Sequence, residues 1–314
     1  MIIQKKWSMY GLIISLFLFT LSVFFILSIP EHLPYYQVLN LPKNHEQKPV
    51  VVILPHQDDE MFLAGTLNRL IKRGHPVYTI VTTDGSGSAV RYILSGRDRN
   101  GNLAVSIIKK RILNPIIEGY KPLDKQHFSA ARNREYFESM QNLGVPANNI
   151  LFANPGGIMG SNHPIYIDGS MTKELAREII QRIYHKIGNG IYLVVASAHD
   201  ETIYQNIDHK AIEEALKEFP GIDERYYFGD KEYPALTIFL SPEEHKNKVL
   251  ALNAYKIWNP QQGRFAIGEH SVKHMLDYWR KSTKEYMIPD PSNKERILNE
   301  SVASHNFIEN ATRR

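Results

Sequence analysis

A histidine, two adjacent aspartates and a glutamate stand directly behind an apolar run: residues 50–60 read VVVILPHQDDE. In open parallel α/β sheets, ligands bind beyond the carboxyl ends of the strands. A strand at 50–54 puts His56 to Glu60 at that place. Adjacent side chains on an extended loop cannot point the same way, so Asp58 and Asp59 diverge and can do two different jobs. His56 and Asp59, three apart across a turn, can converge on one metal ion, which leaves Asp58 free to face a water. Zinc takes histidine nitrogen and aspartate oxygen, and a hydrolytic site keeps one position open for water. The metal lowers the water's pKa, and a nearby carboxylate takes its proton. The plainer reading is an acidic helix start at about Glu60, stabilised by the helix dipole. It accounts for Asp59 or Glu60, but not for a histidine at the strand end.

A metal needs a third ligand. The run YLVVASAHDETIYQNIDHKAI (192–212) offers His199-Asp200 and Asp208-His209, again just after a strand. Taken singly, Asp208 reads as a helix N-cap and His209 as a surface histidine. Taken with the first cluster, on the same edge of the same sheet, both gain interest.

The elements that must position these groups alternate from residue 50. Short apolar runs lie at 50–54, 77–83, 150–153, 191–197 and 235–240, with amphipathic stretches at about 60–73, 127–143, 171–187 and 209–218. Strands that are apolar throughout and separated by helices predict an α/β fold, a mostly parallel sheet with helices on both faces. Two stretches, 85–125 and 154–170, fit no period and read as lid or substrate loops. The tail reads as two helices, 241–258 and about 269–287, the first opened by a capping box at Ser241 and Glu244.

PHQDDE followed much later by an Asn-x-Asp-His element resembles the PIG-L (LmbE-like) family of zinc-dependent N-acetylglucosaminyl de-N-acetylases. VTTDG (81–85) resembles the family's second strand end, and RNREYFESMQNLGV (132–145) its Arg-x-x-Glu helix. The resemblance covers roughly 49–260 and implies a Rossmann-like domain. It implies His56, Asp59 and His209 as zinc ligands, Asp58 as general base and then acid, and Asp208 as an orienting group. It also implies an oxyanion contact from Tyr204. Many members read His-Pro-Asp-His where this chain reads Asn206-Ile207-Asp208-His209. Asn206 can donate a hydrogen bond at that place but cannot carry a proton. The implied activity is removal of an N-acetyl group from an N-acetylglucosamine-type sugar, on a glycolipid or envelope glycan. Iron(II) also accepts two histidines and a carboxylate. The readings that compete are a metal-dependent amidase with a non-sugar substrate, and a non-catalytic glycan- or phosphate-binding module.

Composition narrows the classes further. The chain has 314 residues, a net charge of +4 and no cysteine, which excludes disulfides, thiolate chemistry and cysteine zinc sites. Its positive residues are scattered, so nucleic acid is not an expected partner. Residues 7–29 are apolar and uncharged and follow Lys5 and Lys6. About 20 such residues suffice to span a bilayer. This predicts one N-terminal transmembrane anchor at 1–30, a linker at 31–48, the deacetylase-like domain at 49–290 and a tail at 291–314. The two lysines place the N-terminus inside and the catalytic domain outside the cytoplasm. GSGS (85–88) with Arg91, Arg97 and Arg99 reads as a pocket rim with solvated charges, or else as a phosphate cradle. Arg132 and Glu135, three apart on a helix, read as a surface pair, or by the family resemblance as a pair with a structural role near the site. Trp258, Phe265 and Trp279 read as core rather than as a sugar platform. His163 and His270 lie in glycine-bearing segments within reach of a pocket.

Overall fold

The structure is a computed structural model that describes residues 47–288 apart from 156, 160–165, 196–206, 223 and 230–235. The predicted anchor, most of the linker and the tail lie outside these residues, as do His163, His199, Asp200, Tyr204 and Asn206. Among the described residues no helix is long and apolar enough to cross a membrane.

β1 (Val50–Leu54) is VVVIL, every side chain buried, and it leads through a 3-10 turn at Asp59–Phe62 into α1 (Ala64–Lys72). β2 (Val77–Val81) and the short α2 (Val90–Ile93) precede α3 (Lys125–Leu143). β3 (Ile150–Asn154), β4 (Gly157–Met159), α4 (Lys173–Ile187), β5 (Ile191–Val195), α5 (Ile207–Lys217) and β6 (Glu224–Phe228) follow. The last part holds β7 (Leu236–Phe239), α6 (Pro242–Leu252), a small ribbon of β8 (Trp258–Asn259) and β9 (Arg264–Phe265), α7 (Ile267–Lys281) and β10 (Lys284–Ile288). The main sheet runs β4-β3-β2-β1-β5-β6-β10-β7. β3, β2, β1, β5 and β6 are mutually parallel, while β4 and β10 run against their neighbours.

Both faces of the sheet are covered, as the unbroken apolar strands require. Val50, Val52 and Leu54 pack under α1, α3, α6 and α7, whereas Val51 and Ile53 pack under α4 and α5. Trp279 and Phe265 are buried and Trp258 is half-buried against Phe265, so the aromatics are structural. The capping box forms as expected: Ser241 accepts from the Glu244 amide and Glu244 accepts from the Ser241 amide.

Four readings need correction. The helix predicted over 241–258 ends at Leu252, where the chain passes through a 3-10 turn at Asn253–Lys256 into β8. The helix predicted from about Glu60 starts only at Ala64, because residues 59–62 form a tighter 3-10 turn whose acidic side chains are buried. The helix predicted over 269–287 stops at Lys281, and Lys284–Ile288 forms β10. That segment is rich in good helix formers, but antiparallel pairing to both β6 and β7 overrides local propensity. β6, with the sequence ERYYF, is a strand that the apolar-run pattern does not predict. Its aromatics fit a pleated surface, but Glu224 and Arg225 at its start break the apolar run.

Candidate metal centre

The chain leaves β1 toward β2 and β3, then returns to pair β5 on the other side of β1. The sheet reverses its direction of growth there, and that crevice is where open α/β sheets bind ligands. His56 sits on the turn leaving β1, and His209 sits in the first turn of α5, the helix that follows β5.

Asp59 Oδ2 lies 3.5 Å from His56 Nδ1 and 3.3 Å from His209 Nε2. The ligand atoms of His56, Asp59 and His209 all fall within 4.8 Å of one another. A tetrahedron with bonds of about 2.0–2.1 Å has edges of about 3.3–3.4 Å, so the two separations from Asp59 suit a zinc-sized ion. Each histidine is held from behind. His209 Nδ1 lies 3.1 Å from the Val195 carbonyl, so Nδ1–H donates there and Nε2 keeps its lone pair for the centre. His56 Nε2 lies 3.1 Å from Asp168 Oδ1 and 3.3 Å from Asp208 Oδ2, which leaves Nδ1 facing Asp59. Asp208 is in turn fixed by the backbone amides of Gly169 and Met171, at 2.7 and 2.9 Å.

Asp58 diverges from Asp59 as the loop argument requires. Its Oδ1 accepts from Arg132 Nη2 at 3.0 Å, and Arg132 also donates to the Gly85 carbonyl. Arg132 and Glu135 are therefore not a surface pair. Both are buried, and Glu135 accepts from the Ile267 and Gly268 amides at the start of α7. His270 does not reach the centre either: it is buried against Ser106 and the Ala266 carbonyl. The loop arginines Arg97 and Arg99 bond nearby backbone carbonyls.

The electrostatics favour a bound cation. Four carboxylates, Asp58, Asp59, Asp168 and Asp208, meet two histidines and one guanidinium in a largely buried space. Burial alone pulls the His56 imidazole down, but the hydrogen bonds it donates to Asp168, Asp208 and Asp59, with the Asp59 charge, outweigh it and push its pKa well above the ordinary value. Burial raises Asp59, yet the attraction of His209 and the bonds to both histidines hold it far below the usual carboxylate range. Asp168 is held at about 2: burial raises it, and the His56 bond and charge, the Arg132 charge and the Gly87 amide together more than offset that. A divalent ion held by His56, Asp59 and His209 would satisfy the same excess of negative charge.

Glu60 behaves differently. It is fully buried, with Ser139 Oγ and Tyr255 OH both 2.6 Å from Oε1. Tyr255 also reaches the Gln57 carbonyl, and a hydroxyl has one proton to give, so a protonated Glu60 completes the set. Burial pushes its carboxyl up to about 8. Between about pH 4.5 and 8 the unfolded chain ionises at this residue while the fold keeps the proton, so stability falls as pH rises through that window. Glu60→Gln keeps a neutral side chain of the same shape. Its melting temperature is expected to fall less than the parent's between about pH 5 and 8. Equal slopes in thermal melts refute the assignment.

Sequence reasoning missed Asp168, which lies in the aperiodic 154–170 stretch. Its one local signal is the Asp168-Gly169 pair, a turn signature with Gly169 at φ +80°. The burial of Arg132 is legible in part. Arg132, Asn133 and Glu135 fall on the buried side of α3, where an ordinary helix is apolar.

The model of the GlcNAc-PI de-N-acetylase (PIG-L) family matches residues 51–219, more than half of the chain. The chain belongs to this family. The match spans the whole PIG-L candidate centre, from His56 to His209. No curated protein is significantly similar in sequence. Among solved structures, the N,N'-diacetylchitobiose deacetylase of Pyrococcus horikoshii shares the fold at 15 % identity and a TM-score of 0.50, over 82 % of this chain and 88 % of that one. A triple mutant of a deacetylase of the teicoplanin biosynthetic pathway is similar at 18 % identity and a TM-score of 0.43, over 73 % and 88 % of the two chains. A 4-carboxy-2-hydroxymuconate hydratase of Pseudomonas putida is similar at 12 % identity and a TM-score of 0.44, over 74 % and 82 %.

Proposed function

We propose that this chain is a metal-dependent de-N-acetylase acting on an N-acetylglucosamine-type sugar. The observation that carries the reading is the convergence of His56 Nδ1, Asp59 Oδ2 and His209 Nε2, with Asp58 turned away from them and held by Arg132. His56, Asp59 and His209 would hold zinc, or iron(II), and when bound the ion supplies Lewis acidity at the amide carbonyl and at the attacking water. Asp58 takes the proton of that water and passes it to the amine nitrogen as the C–N bond breaks. The water oxygen leaves in acetate, and the sugar amine leaves free. Arg132 engages one Asp58 oxygen, and among the described residues no donor engages the other, so the base is fixed in place without being used up. Asp208 and Asp168 hold His56 in the tautomer that offers Nδ1. Tyr204 is assigned to the oxyanion by family resemblance, and Asn206, where many members have a histidine, can donate a hydrogen bond to the oxyanion or the leaving group but cannot carry a proton. The apolar run 7–29 supports a membrane-anchored enzyme with an extracytoplasmic catalytic domain, which favours a glycolipid or envelope glycan as substrate.

The test is metal content. The parent is expected to hold about one zinc or iron per chain, and His56→Ala and His209→Ala to lose it. Asp208→Asn is expected to keep His56, Asp59 and His209 in place but weaken binding by about 10–100-fold, since Asp208 orients His56. A parent that stays empty in added metal removes the reading.

A further inference from the structure

Six of the thirteen large apolar side chains exposed among the described residues fall within fifteen consecutive positions. They are Leu103, Val105, Ile107, Ile112, Ile116 and Ile117, and the most exposed are Leu103 at 69 %, Ile116 at 86 % and Ile117 at 76 %. The alternation has the opposite sign from that of an ordinary soluble surface. Leu103, Val105 and Ile107 point outward, while Ser106 between them is fully buried and bonds His270. A half-covered strand normally turns its apolar side chains in and its polar ones out. Val105 and Ile112 face each other across an antiparallel bridge, so they share one side of the hairpin.

The lobe is basic as well as apolar. Residues 103–125 carry Lys109, Lys110, Arg111, Lys121 and Lys125 against Glu118 and Asp124. Lys110 sits at the hairpin tip, exposed, with φ +57°. Aliphatic side chains flanked by lysines are the mark of a surface that lies in the interface of an anionic bilayer. A second copy of the same patch is a poor partner, because a two-fold contact sets like charges against each other. A glycan is a poor partner too, since it is recognised by hydrogen-bonding groups and aromatic faces, and the outward residues here are aliphatic.

We propose that the 103–117 lobe docks on the surface of an anionic membrane. The uncharged apolar run at 7–29 is long enough to span a bilayer and points to the same partner. The docking does not depend on the deacetylase reading, and its test measures no turnover.

The chain has no cysteine, so one introduced thiol can be labelled cleanly. The full chain carrying Ile116→Cys, with an environment-sensitive fluorophore, is placed in phosphatidylcholine vesicles with or without phosphatidylglycerol. Gln181→Cys, exposed on α4, is the control. The label at 116 is expected to shift to the blue and resist an aqueous quencher only with phosphatidylglycerol, and the label at 181 to do neither. Lys110→Gln with Lys121→Gln, both at exposed positions, is expected to weaken docking about fivefold per lysine, and added salt to weaken it further. If the double variant melts early, Lys110→Gln alone serves. Equal quenching at 116 and 181, protection indifferent to anionic lipid, or protection that grows with protein concentration without lipid overturns the proposal.

Discussion

Asp58→Asn is expected to lower kcat by about 10²–10⁴-fold while the bound metal stays at the parent's level. The substituted amide has the shape of the carboxylate and still offers an oxygen to Arg132, so the turn after β1 keeps its course. What it lacks is a site for the water's proton and a proton for the leaving amine. The ligand set is untouched, because Asp58 takes no part in the cluster formed by His56, Asp59 and His209. Some loss of stability accompanies the change, since the buried Arg132 guanidinium loses its nearest counter-charge. The measurement pairs turnover on N-acetylglucosaminides with metal analysis of the same samples. Activity within a few-fold of the parent at full metal occupancy moves the base elsewhere. Loss of metal together with activity makes Asp58 a ligand.

The part of this site that is legible in the sequence is the part carried by strand ends. VVVIL fixes β1, and β1 fixes where His56 to Asp59 stand. The same logic places His209 once β5 is recognised. Adjacent residues on a loop must diverge, and that alone separates the roles of Asp58 and Asp59. What cannot be read are the contacts made by segments without a period. Asp168 reaches His56 from a turn in a segment without a hydrophobic period, and no local pattern encodes that contact. Arg132 is visible as part of a motif, yet its spacing suits a surface pair equally well. Spacing on a helix says which residues share a face and not whether that face is covered. β10 is hidden for the converse reason: its residues suit a helix, and only the open edges of β6 and β7 make it a strand.

That strand sustains the second large effect. Glu285→Ala is expected to cost about 3–5 kcal/mol of stability, a large share of what holds a domain folded. Glu285 is fully buried on β10, and its carboxylate accepts from the Gly65 and Thr66 amides and the Thr66 hydroxyl at the start of α1. Lys248 Nζ lies 3.0 Å from Oε1, an ion pair poorly aligned as a hydrogen bond, and rests over the Trp279 ring. Removing the acid leaves a buried ammonium without its anion and the first amides of α1 without an acceptor. Both are costly in a low-dielectric interior. Adding Lys248→Met is expected to recover much of the loss, because an apolar pair replaces a buried ion pair at little cost, but not the share due to the orphaned amides, about 1–3 kcal/mol. Denaturant titration of the parent, the single and the double variant separates the terms, and a single-variant loss below about 1 kcal/mol shows that Glu285 is not buried as described. The consequence reaches the centre through the chain. α1 follows the metal motif directly, and its first amides are held by a strand that lies beyond the family match at 51–219. The C-terminal strand thus fixes the far end of the turn that carries Asp58 and Asp59.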